Sequence, residues 1–546
     1  MKFHSQCACL LASAALTALC HAQPVYPLLP DWQSTDMQVS TGGALVDLNR
    51  DGWLDFVVAN GNDIERQRLV VYYGVQAPNG SGTLQTTPSW QSADIAYHGH
   101  LDVADVDGDG WMDVAVAVLL AEGGPAAKLY RNVNGTLTAN AVWTSELHGD
   151  TFGVSFGDMN ADGRPDLALG AGQAYGQFGQ TAYSNPVYLN VNGQLSATAS
   201  WTTGSPIISM NCLWLDGDTD GWLDLWHAKA NDDAVIYRNV NGMLEAQPLW
   251  RTDDSQNQFT LMAAWGDTNG DGARDLVIAD NNQIFAGSGR FRRYLGSAAV
   301  MFETVASWTY FDGYTSAIAV GDVDRDGDND LCTGEWFGRT RYFAVPANGV
   351  LPATPTWTNT GTATTTVEKL ILGDIDRNGV RTRELQLAAN DLPGSHRLIT
   401  LPHQPIEDVL EVLVDDVALS TTQYTYSREQ AWVSIGVTPS TNVRIRYRSS
   451  ISLDLAVTNW DSNRPNQVYF NRKSPCDSID FNNDTSLFDP QDIEAFLSVY
   501  SEGPCVPSAA TCNDIDFNND TSVFDPCDIS SFLVMYSEGP CTLCGT

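Results

Sequence analysis

The chain has 546 residues and a formal net charge of −37, from 66 Asp and Glu against 29 Lys and Arg, with 43% hydrophobic and 10% aromatic residues. This length suits several domains or one repeat array with accessories, and the apolar content excludes general disorder. The acidity disfavours nucleic acid and anionic lipid as partners.

Met1–Ala22 carries Lys2, an apolar run from Leu10 to Leu19 and the ending Cys20-His21-Ala22. This pattern predicts a secretory signal over residues 1–22, cleaved before Gln23. No later apolar run is long enough to span a bilayer, so a secreted or cell-surface product is expected. Cys212 and Cys332 fall in strand-like segments and are expected to be buried free thiols.

Acidic loops follow at regular intervals. Their oxygen-bearing residues are Asp47, Asn49, Asp51 and Asp55; Asp105, Asp107, Asp109 and Asp113; Asp158, Asn160, Asp162 and Asp166; Asp216, Asp218, Asp220 and Asp224; Asp267, Asn269, Asp271 and Asp275; and Asp322, Asp324, Asp326 and Asp330. Oxygen ligands at positions one, three, five and nine, with Gly at six, wrap a hard cation of Ca2+ size. Acidic turns without metal would crowd four such side chains together with nothing to offset their repulsion. A seventh copy, Asp374, Asp376 and Asn378 before Gly379, has Thr382 where the closing carboxylate is expected and Glu384 two places late. Calcium is therefore assigned to the six complete loops.

Each loop joins an apolar strand such as Ala44–Leu48 to a second such as Asp55–Asn60, followed by a third (Leu69–Tyr73) and a fourth ending in Trp. Asn134-Gly135, Asn192-Gly193 and Asn241-Gly242 mark tight hairpins, and Trp90, Trp143, Trp201, Trp250, Trp308 and Trp357 close successive repeats. The pattern predicts an all-β propeller of four-stranded blades over residues 23–404, the Trp residues packing between blades. These loops and strands resemble FG-GAP and VCBS repeats, the calcium-loop blades of the integrin alpha-subunit propeller and of many secreted bacterial proteins, over roughly residues 31–401. The resemblance implies calcium between first and second strands, and a ligand face at the opposite end.

Residues 405–450 change character and read as a small inserted β module, after which residues 451–473 return with LDLAVTN and NQVYFN as propeller strands lacking a metal loop. Asp31-Trp32-Gln33-Ser34 repeats a fourth-strand ending with no blade before it, so it is expected to complete that last blade and remove both sheet edges. Counting second strands gives eight blades, or seven if the last pair packs beside the ring.

The tail, residues 474–546, duplicates itself. Asp480, Asn482, Asp484 and Asp492, like Asp516, Asn518, Asp520 and Asp528, read as EF-hand-type calcium loops feeding short helices. The pair resembles a dockerin, although Thr485 and Thr521 replace the loop Gly and the closing carboxylate falls one residue late. A docking partner, or a disulfide-stiffened α-helical cap or sorting tag, are the two readings. Cys476–Cys505 and Cys512–Cys541 would bracket the two copies, leaving Cys527 and Cys544 for each other, with connectivity open.

On the rim opposite the metal loops, Trp336, His98, His100, Tyr310 and Arg292 are the candidate ligand residues, since aromatic platforms beside polar groups suit sugar rings. Trp336 is favoured because Gly334-Glu335-Trp336-Phe337-Gly338 reads as a flexible turn. No nucleophile elbow, phosphate-binding glycine loop or zinc-protease helix is present. The expected function is a monomeric, calcium-bearing binder of an extracellular polysaccharide or protein; the alternative is a polysaccharide lyase using a cleft on the same rim.

Overall fold

The computed structural model describes residues 25–472, except 79, 176–178, 254–257, 286, 298–300, 312, 347 and 361–364, together with 493, 495–498, 529 and 532. The fold is almost wholly β. Its first sheet runs Ser40–Val46, Asp55–Asn60, Val70–Tyr72 and Trp90–Gln91, antiparallel in that order. The same order recurs in sheets that begin at His98–Ala104, Thr151–Gly157, Ser209–Leu215, Thr260–Gly266 and Tyr314–Gly321. Each first strand packs on the first strand of the next sheet.

First and second strands are buried along nearly their whole length because a neighbouring sheet covers each face. Two-sided burial selects small and β-branched side chains. A Cβ at Gly42 would stand 2.7 Å from His100 Cα, and one at Gly153 would stand 2.8 Å from Asn211 Cα, so only glycine lets these inner strands approach. At the outer edge, Trp90, Trp143, Trp201 and Trp250 meet Tyr130, Tyr188, Tyr237 and Tyr294 of the following sheet edge to face. The closing tryptophans therefore seal the joints between sheets.

Val367–Gly373, Asp454–Asn459 and Gln467–Tyr469 form a seventh sheet whose outermost strand is Trp32–Gln33, with Trp32 opposite Val468. Val367–Gly373 also packs on Ser40–Val46, which closes the circuit. The N-terminal strand thus ties the last sheet to the first, as its repeat motif anticipates. Among the described residues the circuit comprises seven such sheets, where the count of second strands in the sequence is eight. The difference lies in Val380–Ala388, which follows the seventh acidic loop and counts as a second strand in the sequence. It carries Arg381, Arg383 and Glu384 and alternates in exposure, which a doubly covered position does not tolerate; Asp454-Leu-Ala-Val-Thr-Asn, buried throughout, takes that position.

Val380–Ala388 pairs instead with Asn442–Ser450, which pairs with Ile406–Val414. A second small sheet holds Leu398–Thr400, Trp432–Ile435 and Tyr424–Ser427. Strand pairing thus carries the inserted module back from the expected Pro405 to Val380. The module has its own core, including Ile399, Val412, Val433, Ile445 and Tyr447. It lies over the acidic loops: Thr421 Oγ1 donates to Gly108 O at 2.6 Å, Arg397 Nη1 to Ala161 O at 2.7 Å, and Arg274 Nη2 to Leu401 O at 3.1 Å.

Candidate metal centres

Each acidic loop turns tightly from a first strand into a second, and the same backbone donors pin its two end carboxylates. The amide of the position-six Gly donates to Oδ2 of the first Asp: Gly52 to Asp47 at 3.0 Å, Gly110 to Asp105 at 2.7 Å, Gly163 to Asp158 at 2.7 Å, Gly221 to Asp216 at 3.0 Å, Gly272 to Asp267 at 2.9 Å and Gly327 to Asp322 at 3.2 Å. The Asp at position nine accepts from the amide of the second loop residue: Asp55 from Leu48 at 2.9 Å, Asp113 from Val106 at 3.1 Å, Asp166 from Met159 at 2.9 Å, Asp224 from Gly217 at 3.0 Å, Asp275 from Thr268 at 3.1 Å and Asp330 from Val323 at 2.9 Å. Its other oxygen accepts from an amide after the third strand, as in Asn132 to Asp113 at 2.7 Å. Backbone amides thus fix the orientation of both end carboxylates.

Asp105, Asp107 and Asp109 bring ligand oxygens within 4.8 Å of one another, as do Asp216, Asp218 and Asp224, and Asp322, Asp324 and Asp330. In the first, third and fifth loops the amides of Asn49, Asn160 and Asn269 occupy position three. Burial, reinforced by neighbouring carboxylates, pushes Asp113 and Asp330 up to about 8 and Asp55 and Asp216 up to about 7. Arg131 lies 3.1 Å from Asp107, and Arg238 lies 2.6 Å from Asp218 and 3.2 Å from Asp220. Asp47 Oδ1, Asp105 Oδ1 and Asp322 Oδ1 are buried and have no hydrogen-bond partner. A hard divalent cation fits this all-oxygen donor set and would satisfy those atoms.

A fourth carboxylate triad was not foreseen: Asp374, Asp376 and Asp454 also lie within 4.8 Å of one another. Thr382, at position nine along the chain, and Glu384, two places later, are exposed on the module strand. The signal was present in Asp454-Leu-Ala-Val, which matches Asp166-Leu-Ala-Leu at the start of a second strand.

The rim residues are placed otherwise than expected. Trp336 is 6% exposed; it ends a strand, packs on Phe259 and Trp460, and donates its indole N–H to Glu368 Oε2 at 2.6 Å. Arg292 is wholly buried, 2.8 Å from Asp280, and Tyr310 stacks on Trp308. The His98 ring, wholly buried, has Nδ1 2.7 Å from Asn60 O, and Asn211 Nδ2 donates to His100 Nδ1 at 3.1 Å. Burial lowers His98 to about 4 and His100 to about 3, so both are neutral near pH 7. His100 lines a central cavity of about 80 Å3 with Asp102, Lys369 and Glu429, while Arg292 and Tyr310 belong to a different sheet. Exposed apolar side chains at this end include Ile64, Ile95, Phe311 and Phe337, of which Phe337 is 54% exposed with φ +57°. Asp480, Asn482, Asp484, Asp492, Asp516, Asn518, Asp520 and Asp528, the tail cysteines and the leader lie outside the described residues.

Residues 47–116 match the FG-GAP-like repeat and residues 152–189 the FG-GAP repeat. The chain carries FG-GAP repeats in two places. Both matches span acidic-loop sheets, so the repeat coincides with the strand–loop–strand unit that builds the candidate centres. No curated protein matches the chain. Similar solved structures include BBS1N in complex with ARL6DN, soaked with mercury (TM-score 0.43, 10% identity, 77% of this chain and 97% of that chain), and the same complex soaked with lead (TM-score 0.41, 12% identity, 67% and 93%). Among the described residues no helix is long and apolar enough to cross a membrane.

Proposed function

We propose that this chain is a secreted, seven-bladed calcium propeller that recognises an extracellular glycan or protein, its tail serving attachment or assembly. The observation that carries the calcium reading is the buried, unpartnered oxygen at Asp47, Asp105 and Asp322, each on a carboxylate already pinned by a glycine amide. A mere acidic turn has no reason to bury such an atom, whereas a cation site does. Calcium here is architectural: it neutralises the loops and fastens first strand to second.

Recognition is favoured over catalysis because the residues a lyase would gather are separated. His98 and His100 stand in the second blade, Arg292 and Tyr310 in the fifth, and the side chains of His98 and Arg292 are fully buried. The module covers the metal-loop face, which leaves the opposite face, with Phe311 and Phe337, for a partner. Glycan and protein arrays probed with and without Ca2+, beside a lyase assay on acidic polysaccharides, test the reading. Calcium-dependent retention weakened by Phe311→Ala with Phe337→Ala supports it; turnover of a uronate polymer replaces it.

A further inference from the structure

In six loops two residues separate the position-six Gly from the position-nine Asp; in the seventh, residues 380–453 intervene between Gly379 and Asp454. The chain nevertheless returns to its point of departure, because Val380 pairs with Ser450 at the neck of the module and the ladder continues to Ala388 and Asn442. We propose that Asp374, Asp376, Asn378 and Asp454 form a seventh calcium centre, closed across that neck, whose ion fastens the inserted module to the ring. The inference rests on the calcium reading of the other loops.

The pinning pattern is complete. Gly379 N donates to Asp374 Oδ2 at 2.8 Å, Ile375 N to Asp454 Oδ2 at 2.8 Å and Asn471 N to Asp454 Oδ1 at 2.8 Å, the counterparts of Gly110 to Asp105, Val106 to Asp113 and Asn132 to Asp113. Asp454 is therefore held as a position-nine ligand although it is remote in sequence. Asp374 and Asp454 are both fully buried. Burying two carboxylates beside a third is costly unless a cation joins them.

Two further atoms point to a ligand. Asn378 donates from Nδ2 to Asp376 Oδ2 at 2.9 Å, which fixes the amide, and its Oδ1 is buried with no partner. Ser452 packs so closely on Gly379 that a Cβ there would come within 2.6 Å of its own; it is wholly buried and its hydroxyl has no partner. The neck is also tied to the cluster directly, through Ser450 Oγ donating to Asp374 Oδ2 at 2.7 Å. An ion here would hold both chain crossings of the neck at once, whereas each other centre holds one continuous loop.

The test uses the full chain, stripped with EGTA and dialysed against 45Ca2+, comparing wild type with Asp376→Ala, Asp454→Asn and, as a matched control in the fourth loop, Asp218→Ala. Loss of one equivalent of calcium in Asp376→Ala and Asp454→Asn, equal to the loss in Asp218→Ala, is expected; the difference cancels any calcium held by the tail. Hydrogen exchange gives the local readout: calcium should protect amides 375–379 and the 380–388 ladder in wild type and Asp218→Ala, but not in Asp376→Ala. Asp376 is only half-buried, so this variant carries the test if Asp454→Asn fails to fold. Undiminished binding in Asp376→Ala, with one equivalent lost in Asp218→Ala, overturns the seventh centre and leaves the calcium reading intact. Undiminished binding in all three variants overturns both.

Discussion

One residue of strand length decides the fate of Trp336. The pairing of Tyr314 with Trp336 extends the second strand to the tryptophan, which turns the indole inward and leaves Phe337, with its positive φ, outside. Trp336→Ala should therefore cost about 3–5 kcal/mol of stability, the range for a large aromatic removed from a core. It also strips the donor from Glu368, whose carboxyl burial already drives well above its usual range. Phe337→Ala should stay within about 0.5 kcal/mol of wild type, as expected for a surface site. Urea unfolding of the two variants checks the ordering, and the reverse order would return Trp336 to the rim. A second residue-scale consequence concerns His227, wholly buried, its Nδ1 2.9 Å from Ser209 Oγ, and lowered to about 3 by burial and then by Lys229. Because the folded value lies below the unfolded value of about 6.5, its contribution is present above about pH 6.5 and is lost as pH falls toward the folded value. The stability gap between wild type and His227→Asn should thus be largest near neutrality and shrink in acid, by at most about 1.4 kcal/mol per pH unit. A gap constant from neutrality to about pH 4 would contradict this.

At the scale of elements, the closing strand Trp32–Gln33 is two residues long and joins chain segments from opposite ends of the sequence. Trp32 is buried, donates its indole N–H to Leu84 O at 2.9 Å and meets Tyr72 edge to face at 5.5 Å. Trp32→Ala should lower stability by about 3–5 kcal/mol and leave Gln467–Tyr469 as an open, aggregation-prone edge. Trp90→Ala, at the same repeat position but half-exposed and on a strand continuous with its own sheet, should cost less. Calorimetry with light scattering compares them, and equal losses would deny the closing strand a special role. Trp32 was legible in sequence because its local motif repeats, and so were the six loops, whose spacing is fixed over nine residues. The place of Val380–Ala388 is not legible in sequence because a strand's alternation does not name its partner; only the two-sided burial of ring strands excludes Arg383 and Glu384 from the ring. Asp454 escaped for the same reason, since its loop partners precede an inserted module, and Cys212 and Cys332, expected as buried free thiols, are found so.

For the whole molecule, the acidic loops all open at one end of the ring under the module, so their charges repel within each loop and between loops. With a formal net charge of −37, the ion-free chain should be strained electrostatically where it is best ordered. Chelation should therefore lower the melting temperature in one cooperative step, because every loop joins two strands that neighbouring sheets also bury. At free Ca2+ near 100 times Kd, each independent centre stabilises the native state by about 2.7 kcal/mol, less whatever the unfolded chain binds. Generic acidity and specific ligation give different responses to other salts. Sodium chloride screens exposed charges over about 8–10 Å and should recover only part of the loss in EGTA, since buried carboxylates are screened far less. Magnesium requires octahedral ligands at about 2.0–2.1 Å and gives up water reluctantly, so it should recover less than calcium from these flexible carboxylate and amide cups. Thermal melts in EGTA, followed by titration with Ca2+, Mg2+ or NaCl, separate the cases. Full recovery with Ca2+ alone is expected, whereas a melting temperature that EGTA leaves unchanged, or that NaCl restores as well as Ca2+ does, would reduce the loops to ordinary acidic turns.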